Sequence, residues 1–212
     1  MTRLIYLFAT IGAAFSAAPA DARPVSYPGG WTLMNKNNGN FSALHLHYSP
    51  TAKDSIGLYT ERNWAEDWHF TGVQYNRLVK RWNGPESQAN LYAKVGAGQA
   101  DPFGSAGPEL AGFFGISADW ETRRWFVSYE GRAYDVGNDK DARQAARIGV
   151  APYIGDYGDL HTWLMLQVDH FPESDTPLRT TPLVRFFYDV QLLEIGYTVE
   201  DEEFLVNWIV RF

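Results

Sequence analysis

The chain has 212 residues, no cysteine and a formal net charge of −7. The missing cysteines exclude disulfides and thiolate metal sites. Lysine and arginine form no cluster, which argues against a nucleic-acid partner, because such binding depends on clustered positive charge. Aromatic residues make up 16% of the chain, yet no apolar run beyond the N-terminal segment is long enough for a membrane helix. This combination is typical of a β-barrel in which an apolar outer face alternates with a polar inner face.

The N-terminal segment has the three parts of a secretory signal peptide. Arg3 supplies a positive charge, residues 4–18 form an apolar run, and Ala20-Asp21-Ala22 is a small-x-small cleavage site. A membrane anchor or a buried helix is the alternative, but the run is too short to span a bilayer and no stop-transfer pattern follows. We therefore predict a cleaved peptide over residues 1–22 and a single domain over residues 23–212.

Period-two alternation of apolar and polar residues runs through most of that domain. In residues 88–98, Ala, Leu and Val on one face oppose Asn, Tyr and Lys on the other, and residues 160–169 alternate in the same way. The pattern predicts an all-β fold: a closed antiparallel transmembrane β-barrel of about twelve strands, with ten as the alternative. The predicted strands are 31–36, 42–49, 54–62, 68–80, 87–99, 108–120, 123–134, 142–154, 159–170, 181–189, 191–199 and 202–212.

The connections are expected to differ between the two ends. An even strand number places both termini on the periplasmic side, together with short turns at 83–85, 119–122, 155–158 and 188–191. Longer polar segments at 63–67, 100–107, 135–141 and 171–180 are then outer loops. Aromatic belts are expected near the periplasmic end (Trp82, Trp120, Trp125, Tyr153, Tyr157, Trp208) and the outer end (Trp64, Trp68, Phe103, Phe171). The alternative is that these aromatics form the core of a soluble protein.

The final strand alternates strictly and ends on an aromatic residue. Its apolar positions are Phe204, Val206, Trp208, Val210 and Phe212. This pattern resembles the C-terminal signature of Gram-negative outer-membrane β-barrels. The resemblance implies an outer-membrane location and recognition by the barrel-insertion machinery.

Ionisable residues of both signs fall on the face expected to line the barrel interior. Such an interior is either filled by paired side chains or forms a narrow aqueous path for a charged solute. The interior candidates are Glu61, Lys94, Asp119, Arg124, Glu130, Arg132, Arg143, Arg147, Asp169, Arg185 and Glu194.

Two further groups point to specific chemistry. His45 and His47 share one face of a strand, and Met34 on the neighbouring strand is expected to join them, so that two imidazoles and a thioether offer a site for a soft cation such as Cu(I). The alternative is ordinary polar interior histidines. His47 and Ser49 resemble the His-x-Ser motif of outer-membrane lipid A deacylases and phospholipases, which implies a base and a nucleophile on one face. Ser49 also precedes Pro50, as a turn residue does.

Three functional hypotheses remain from the sequence. The first is a non-enzymatic outer-membrane barrel, either a narrow channel or a structural envelope protein with a charged interior, which needs no cofactor. The second is a barrel enzyme that acts on lipid through His47 and Ser49; a copper-related envelope protein is a separate alternative to the non-enzymatic role. The third is a soluble periplasmic barrel that binds a small ligand in the manner of lipocalins. Outer-membrane lipids and the insertion machinery are the expected partners, and the oligomeric state is open.

Overall fold

The computed structural model describes residues 26–64, 66–102, 107–136 and 139–212, so the predicted signal peptide lies outside the described residues. Twelve antiparallel strands close into one barrel, in which each strand pairs with its chain neighbours and the first pairs with the last. The predicted all-β fold and the strand number of twelve are confirmed. In the described part of the chain, no helix has the length and apolar character needed to cross a membrane.

The strand bounds follow the alternating segments closely. The strands are β1 Trp31–Asn37, β2 Phe41–Tyr48, β3 Asp54–Asn63, β4 Trp68–Asn83, β5 Ser87–Pro102, β6 Glu109–Thr122, β7 Trp125–Val136, β8 Asp139–Val150, β9 His161–His170, β10 Leu178–Tyr188, β11 Gln191–Thr198 and β12 Glu203–Arg211.

Most of the wall places apolar residues on its outer side and polar residues on its inner side. In β5, Lys94 points inward and is buried, whereas Val95 points outward and is exposed. In β9, Leu164 and Leu166 face outward while Gln167 faces inward. Successive side chains of a strand alternate between faces, so closure of the sheet turns the sequence alternation into an apolar outside and a polar inside.

The two ends of the barrel are named here by the chain termini. The proximal end carries Trp31 and Arg211, and the distal end carries the β1–β2 turn. The predicted asymmetry between short and long connections is wrong at two places. Residues 151–160 form a ten-residue proximal connection, because β8 ends at Val150 and not near residue 154. At the distal end only residues 137–138 separate β7 from β8, because both strands extend into the predicted loop.

The predicted aromatic belt is present at the proximal end but is partly wrong at the distal end. Exposed rings at the proximal end come from Trp31, Trp82, Trp120, Trp125, Tyr153, Tyr157, Tyr188 and Trp208. At the distal end Trp64 is exposed, but Trp68 and Phe171 are buried. Trp68 packs inside the barrel, and Phe171 lies under the guanidinium of Arg179 at 4.8 Å. Phe103 lies outside the described residues.

The last strand closes the barrel through its backbone. Backbone hydrogen bonds join Trp31 and Phe212 in both directions, at 2.7 and 3.0 Å. The signature residues Phe204, Val206 and Trp208 of β12 face outward and are exposed, as is Phe212 directly after the strand, whereas Leu205 and Ile209 are buried on the inward face. The terminal aromatic of the signature therefore stands on the outer surface of the seam between β1 and β12.

Candidate functional site

The structure places all but one of the predicted interior residues on the inner face of the wall. Arg124 is the exception, and its predicted place in the interior is wrong. It lies in the exposed turn between β6 and β7, where its backbone N–H and that of Trp125 both donate to Thr122 Oγ1. The predicted strand began two residues too early, and a turn residue has no strand face. The inward candidates are Glu61, Lys94, Asp119, Glu130, Arg132, Arg143, Arg147, Asp169, Arg185 and Glu194.

A first charged group, the Glu61 cluster, joins nearly opposite walls of the barrel. It consists of Tyr59, Glu61, Arg132, Tyr134 and Arg143. Arg143 of β8 donates from its two Nη atoms to the two carboxylate oxygens of Glu61 in β3, at 2.5 and 2.9 Å. Both tyrosine hydroxyls also donate to Glu61. Such a bidentate pair is among the stronger contacts available to a buried carboxylate, and here it crosses the interior.

Aromatic side chains fill the space beside the Glu61 cluster in the distal half of the barrel. Phe113 lies 5.5 Å from Phe70 and 5.3 Å from Tyr134, measured between ring centroids. The guanidinium of Arg132 stacks on Phe113 at 4.5 Å. Gly96 makes room for this ring, because a Cβ at that position would stand only 2.1 Å from a Phe113 ring carbon. This half of the interior is therefore packed like a protein core.

A second charged group, the Glu194 cluster, lies on the wall formed by β8 to β12. Arg147 donates to Glu194 at 2.9 Å, Arg185 donates to the same carboxylate at 2.8 Å, and Asn207 donates to its other oxygen at 2.7 Å. Arg147 also donates from Nε to Gln167 at 2.5 Å. The Glu194 side chain is almost completely buried, so its charge is compensated by protein groups and not by water.

Glu130 forms a third charged group near the middle of the barrel. Lys94 Nζ lies 2.9 Å from Glu130 Oε1, and Arg132 Nη2 donates to the same oxygen at 3.3 Å. Lys36 Nζ approaches the other oxygen at 3.7 Å. Because β1 and β7 stand on opposite sides of the twelve-strand ring, the contact of Lys36 with Glu130 spans the interior.

The space between these groups is a cavity of about 170 Å³. Its lining includes Lys94, Glu130, Arg143, Arg147 and Glu194, so both signs of charge face it. The side chains of Lys36 and Glu130 are 34% and 31% exposed to this space, which is large enough and polar enough to hold water.

Polar contacts also tie the turns together at the distal rim. Arg179 Nε donates to Asp201 at 2.9 Å, and Asn40 Nδ2 donates to the same carboxylate, also at 2.9 Å. The backbone N–H of Thr180 donates to Glu200 at 2.6 Å, which lowers the pKa of this exposed carboxyl. The β1–β2 turn, the β11–β12 turn and β10 are thus held to one another.

The structure brings the two histidines of the predicted metal site together and places Met34 on the neighbouring strand. His45 and His47 point inward and are buried, and their Nδ1 atoms lie 3.2 Å apart. Met34 is the register partner of His45 on β1. A small cavity of about 40 Å³ is lined by Met34, His45 and Tyr59 and by the cations Lys94 and Arg132.

Ser49 occupies a structural position just beyond the end of β2. Its Oγ accepts the backbone N–H of Ser26 at 3.1 Å, and its own backbone exchanges hydrogen bonds with Gly29 and Gly30. The ring atom Nδ1 of His47 contacts Nδ1 of His45. This arrangement gives Ser49 the role of fastening the segment before β1, and the geometry lends no support to a nucleophile activated by His47.

Several participants in these charged groups were not singled out from the sequence, among them Lys36 beside Glu130 and Gln167 beside Arg147. Tyr59 and Tyr134 complete the shell of Glu61, and Asn207 completes that of Glu194. That these side chains face inward was predictable from the alternation of the strands. Their partners were not, because Tyr134 and Glu61 are 73 residues apart, and the contact of Asn207 with Glu194 depends on the register between β11 and β12.

Comparisons with known proteins give structural neighbours only. No protein-family model matches the chain, and no curated protein matches it. Among solved structures, the KdgM porin in complex with disordered oligogalacturonate is 10% identical, with a TM-score of 0.47 over 86% of this chain and 98% of that one. LpxR from Salmonella typhimurium is 9% identical, with a TM-score of 0.43 over 86% and 99%. A loop-deletion mutant of OmpT, an outer membrane protein of Vibrio cholerae, is 10% identical, with a TM-score of 0.28 over 87% and 97%.

Proposed function

We propose that this chain is a β-barrel of the Gram-negative outer membrane that serves as a structural envelope protein, with an interior closed by paired charges. The observation that carries the proposal is the contact of Arg143 with Glu61 across the interior, on nearly opposite walls. A barrel that conducts freely needs an open path, whereas here the ion pairs and the aromatic cluster occupy the distal half.

The membrane location rests on the outer surface. An exposed band of large apolar side chains is a liability in water and an advantage in lipid, and a closed barrel satisfies its backbone groups within a bilayer. A soluble ligand-binding barrel would leave this band in water. Outer-membrane lipids are then the partner of the band, and the insertion machinery is the partner of β12. The band includes Leu44, Ile56, Leu58, Val73, Val95, Phe114, Ile116, Val127, Ile148, Leu164, Leu166, Val168, Ile195 and Val206.

A narrow channel is the second candidate, and the central cavity favours it. The cavity of about 170 Å³ is large enough to hold water and is lined by both signs of charge. Interleaved charges largely cancel, so such a path would show small conductance and weak ion selectivity.

Current measurements on purified protein in planar bilayers test both candidates. We expect little or no conductance from the wild type, and more from Arg143→Ala, which removes the bridge to Glu61. Arg124→Ala is the matched control, because this arginine lies in an exposed turn and its loss should change nothing. A large, steady and strongly selective wild-type conductance would contradict the closed interior. Equal currents from wild type and Arg143→Ala would contradict the role of the bridge.

A further inference from the structure

The small cavity of about 40 Å³ beside the Glu61 cluster has a positively charged lining. Four cations line it, and among the described residues no carboxylate does. The cations come from β1, β5, β7 and β8, which closure of the barrel arranges around one interior. Such a lining repels a cation and attracts an anion. The four cations are Lys36, Lys94, Arg132 and Arg143.

The carboxylates that bind these cations do not balance their charge. Three of the cations have largely buried side chains, with exposed fractions of 6% for Lys94, 5% for Arg132 and 14% for Arg143. In the described part of the chain, only Glu61 and Glu130 form ion pairs with these three. One buried positive charge is therefore in excess. An uncompensated buried charge is costly, so the arrangement favours a bound anion.

Two further inward carboxylates have partners of their own. Asp141 accepts a hydrogen bond from Asn63 at 3.1 Å, and Asp169 accepts one from Gln167 at 2.5 Å. Neither carboxylate lines the small cavity. They therefore do not neutralise its lining by direct contact.

The two lysines also keep N–H donors for a further acceptor. A lysine ammonium has three donors. Within the described residues, Lys36 and Lys94 have one ion-pair partner, Glu130, which they share. Buried polar groups are normally paired, so the spare donors of the buried Lys94 mark a place for an acceptor that the chain itself does not supply.

The size and the charge of the cavity fit a small monovalent anion. Its volume of about 40 Å³ is roughly three times the space that one water molecule needs, which admits a monatomic ion. One negative charge balances the buried positive charge that is in excess. We propose that the small cavity binds one chloride ion, or another halide, through the four cations of its lining. This role is independent of whether the barrel conducts, because a bound anion is compatible with a structural barrel and with a narrow channel.

The central cavity supplies the path to this site. The two cavities share Lys36, Lys94 and Arg143 in their linings. The central cavity also reaches Glu121, one residue before the proximal end of β6, whereas aromatic side chains fill the distal half. An anion therefore enters from the proximal end of the barrel.

The test measures whether chloride stabilises the folded barrel in detergent. Urea unfolding is compared in sodium chloride and in sodium gluconate at the same ionic strength, because gluconate is too bulky for the small cavity. A ligand that binds only the folded state stabilises that state. Chloride at about 100-fold above its Kd should therefore raise the folding equilibrium constant of the wild type about 100-fold. Chloride NMR measures the binding directly, as a saturable line broadening that bromide reverses.

Variants of the lining separate this effect from a general effect of salt. Lys94→Met and Lys36→Met each remove one ammonium group and keep an unbranched side chain, and we expect both to lose the chloride-dependent stabilisation and the line broadening. Lys53→Met is the matched control, because Lys53 lies in the exposed β2–β3 turn, and it should respond to chloride as the wild type does. Heat-modifiable migration verifies that each variant is folded. The partly exposed Lys36 decides the matter if Lys94→Met does not fold.

Several outcomes would overturn the proposal. They are identical unfolding of the wild type in chloride and gluconate, line broadening that does not saturate, which would mean an adventitious ion only, or an unchanged chloride response in folded Lys36→Met. Loss of the response in Lys53→Met would place the ion on the outer surface. Displacement of chloride by sulfate more readily than by bromide would overturn the assignment to a monovalent anion.

Discussion

Removal of the Glu194 carboxylate should strongly destabilise the barrel. Glu194→Ala leaves Arg147 and Arg185 facing each other without their shared counterion, and Asn207 loses its acceptor. Breaking a buried pair by deleting one partner costs about 3–5 kcal/mol. The Arg147 side chain is 18% exposed to the cavity, so water recovers part of its solvation and the lower end applies. We expect a loss of about 3 kcal/mol, or roughly 100-fold in the folding equilibrium constant.

Urea unfolding in lipid vesicles, followed by tryptophan fluorescence, measures this loss. Glu194→Gln should lose less than Glu194→Ala, because the amide oxygen still accepts hydrogen bonds although the charge is gone. Glu86→Ala, in the exposed β4–β5 turn, is the matched control and should stay within about 0.5 kcal/mol of the wild type. If Glu194→Ala unfolds at the same urea concentration as Glu86→Ala, with the same slope, then Glu194 does not hold the two arginines together.

Three further predictions concern the wall, the packing and the seam. Val95→Arg places a charge on the outward face midway along β5 and should cost about 2–4 kcal/mol in vesicles, whereas Leu110→Arg at the distal rim should cost about 0–1 kcal/mol; equal losses would mean that the band does not face lipid. Gly96→Ala drives a Cβ into Phe113 and should cost about 1–3 kcal/mol by urea unfolding, and wild-type stability would contradict the packing. Phe212→Asp should reduce the heat-modifiable protein recovered from outer membranes, and normal recovery would refute a role of the terminal ring in assembly.

The strands were predictable because their signal is local. Alternation within one strand fixes both its existence and its two faces, as in β5 and β9. Strand boundaries were less predictable. The predicted start of β7 was two residues too early, and Arg124 was therefore wrongly placed in the barrel interior. At strand ends the choice between ladder and turn depends on partner strands, which a single segment does not encode.

The distal aromatics show where the simple facing rule fails. An apolar residue marks the outer face only if the inner face is polar. Trp68 shares the inward face of β4 with Phe70, because the interior there holds an aromatic core. Side-chain pairs that cross the interior could not be predicted from the sequence either. Arg143 and Glu61 are 82 residues apart, and their contact follows from barrel closure and not from any sequence spacing.

The contacts that cross the interior also have a mechanical consequence. A hollow cylinder under lateral pressure yields first by flattening into an ellipse, a motion that hydrogen bonds between neighbouring strands resist only weakly. The Arg143–Glu61 and Lys36–Glu130 contacts act as internal struts, each tied to distant sectors of the wall. The two struts join different pairs of strands, so they oppose flattening along more than one diameter. We therefore expect the barrel to keep a round section when the thickness or tension of the surrounding membrane changes.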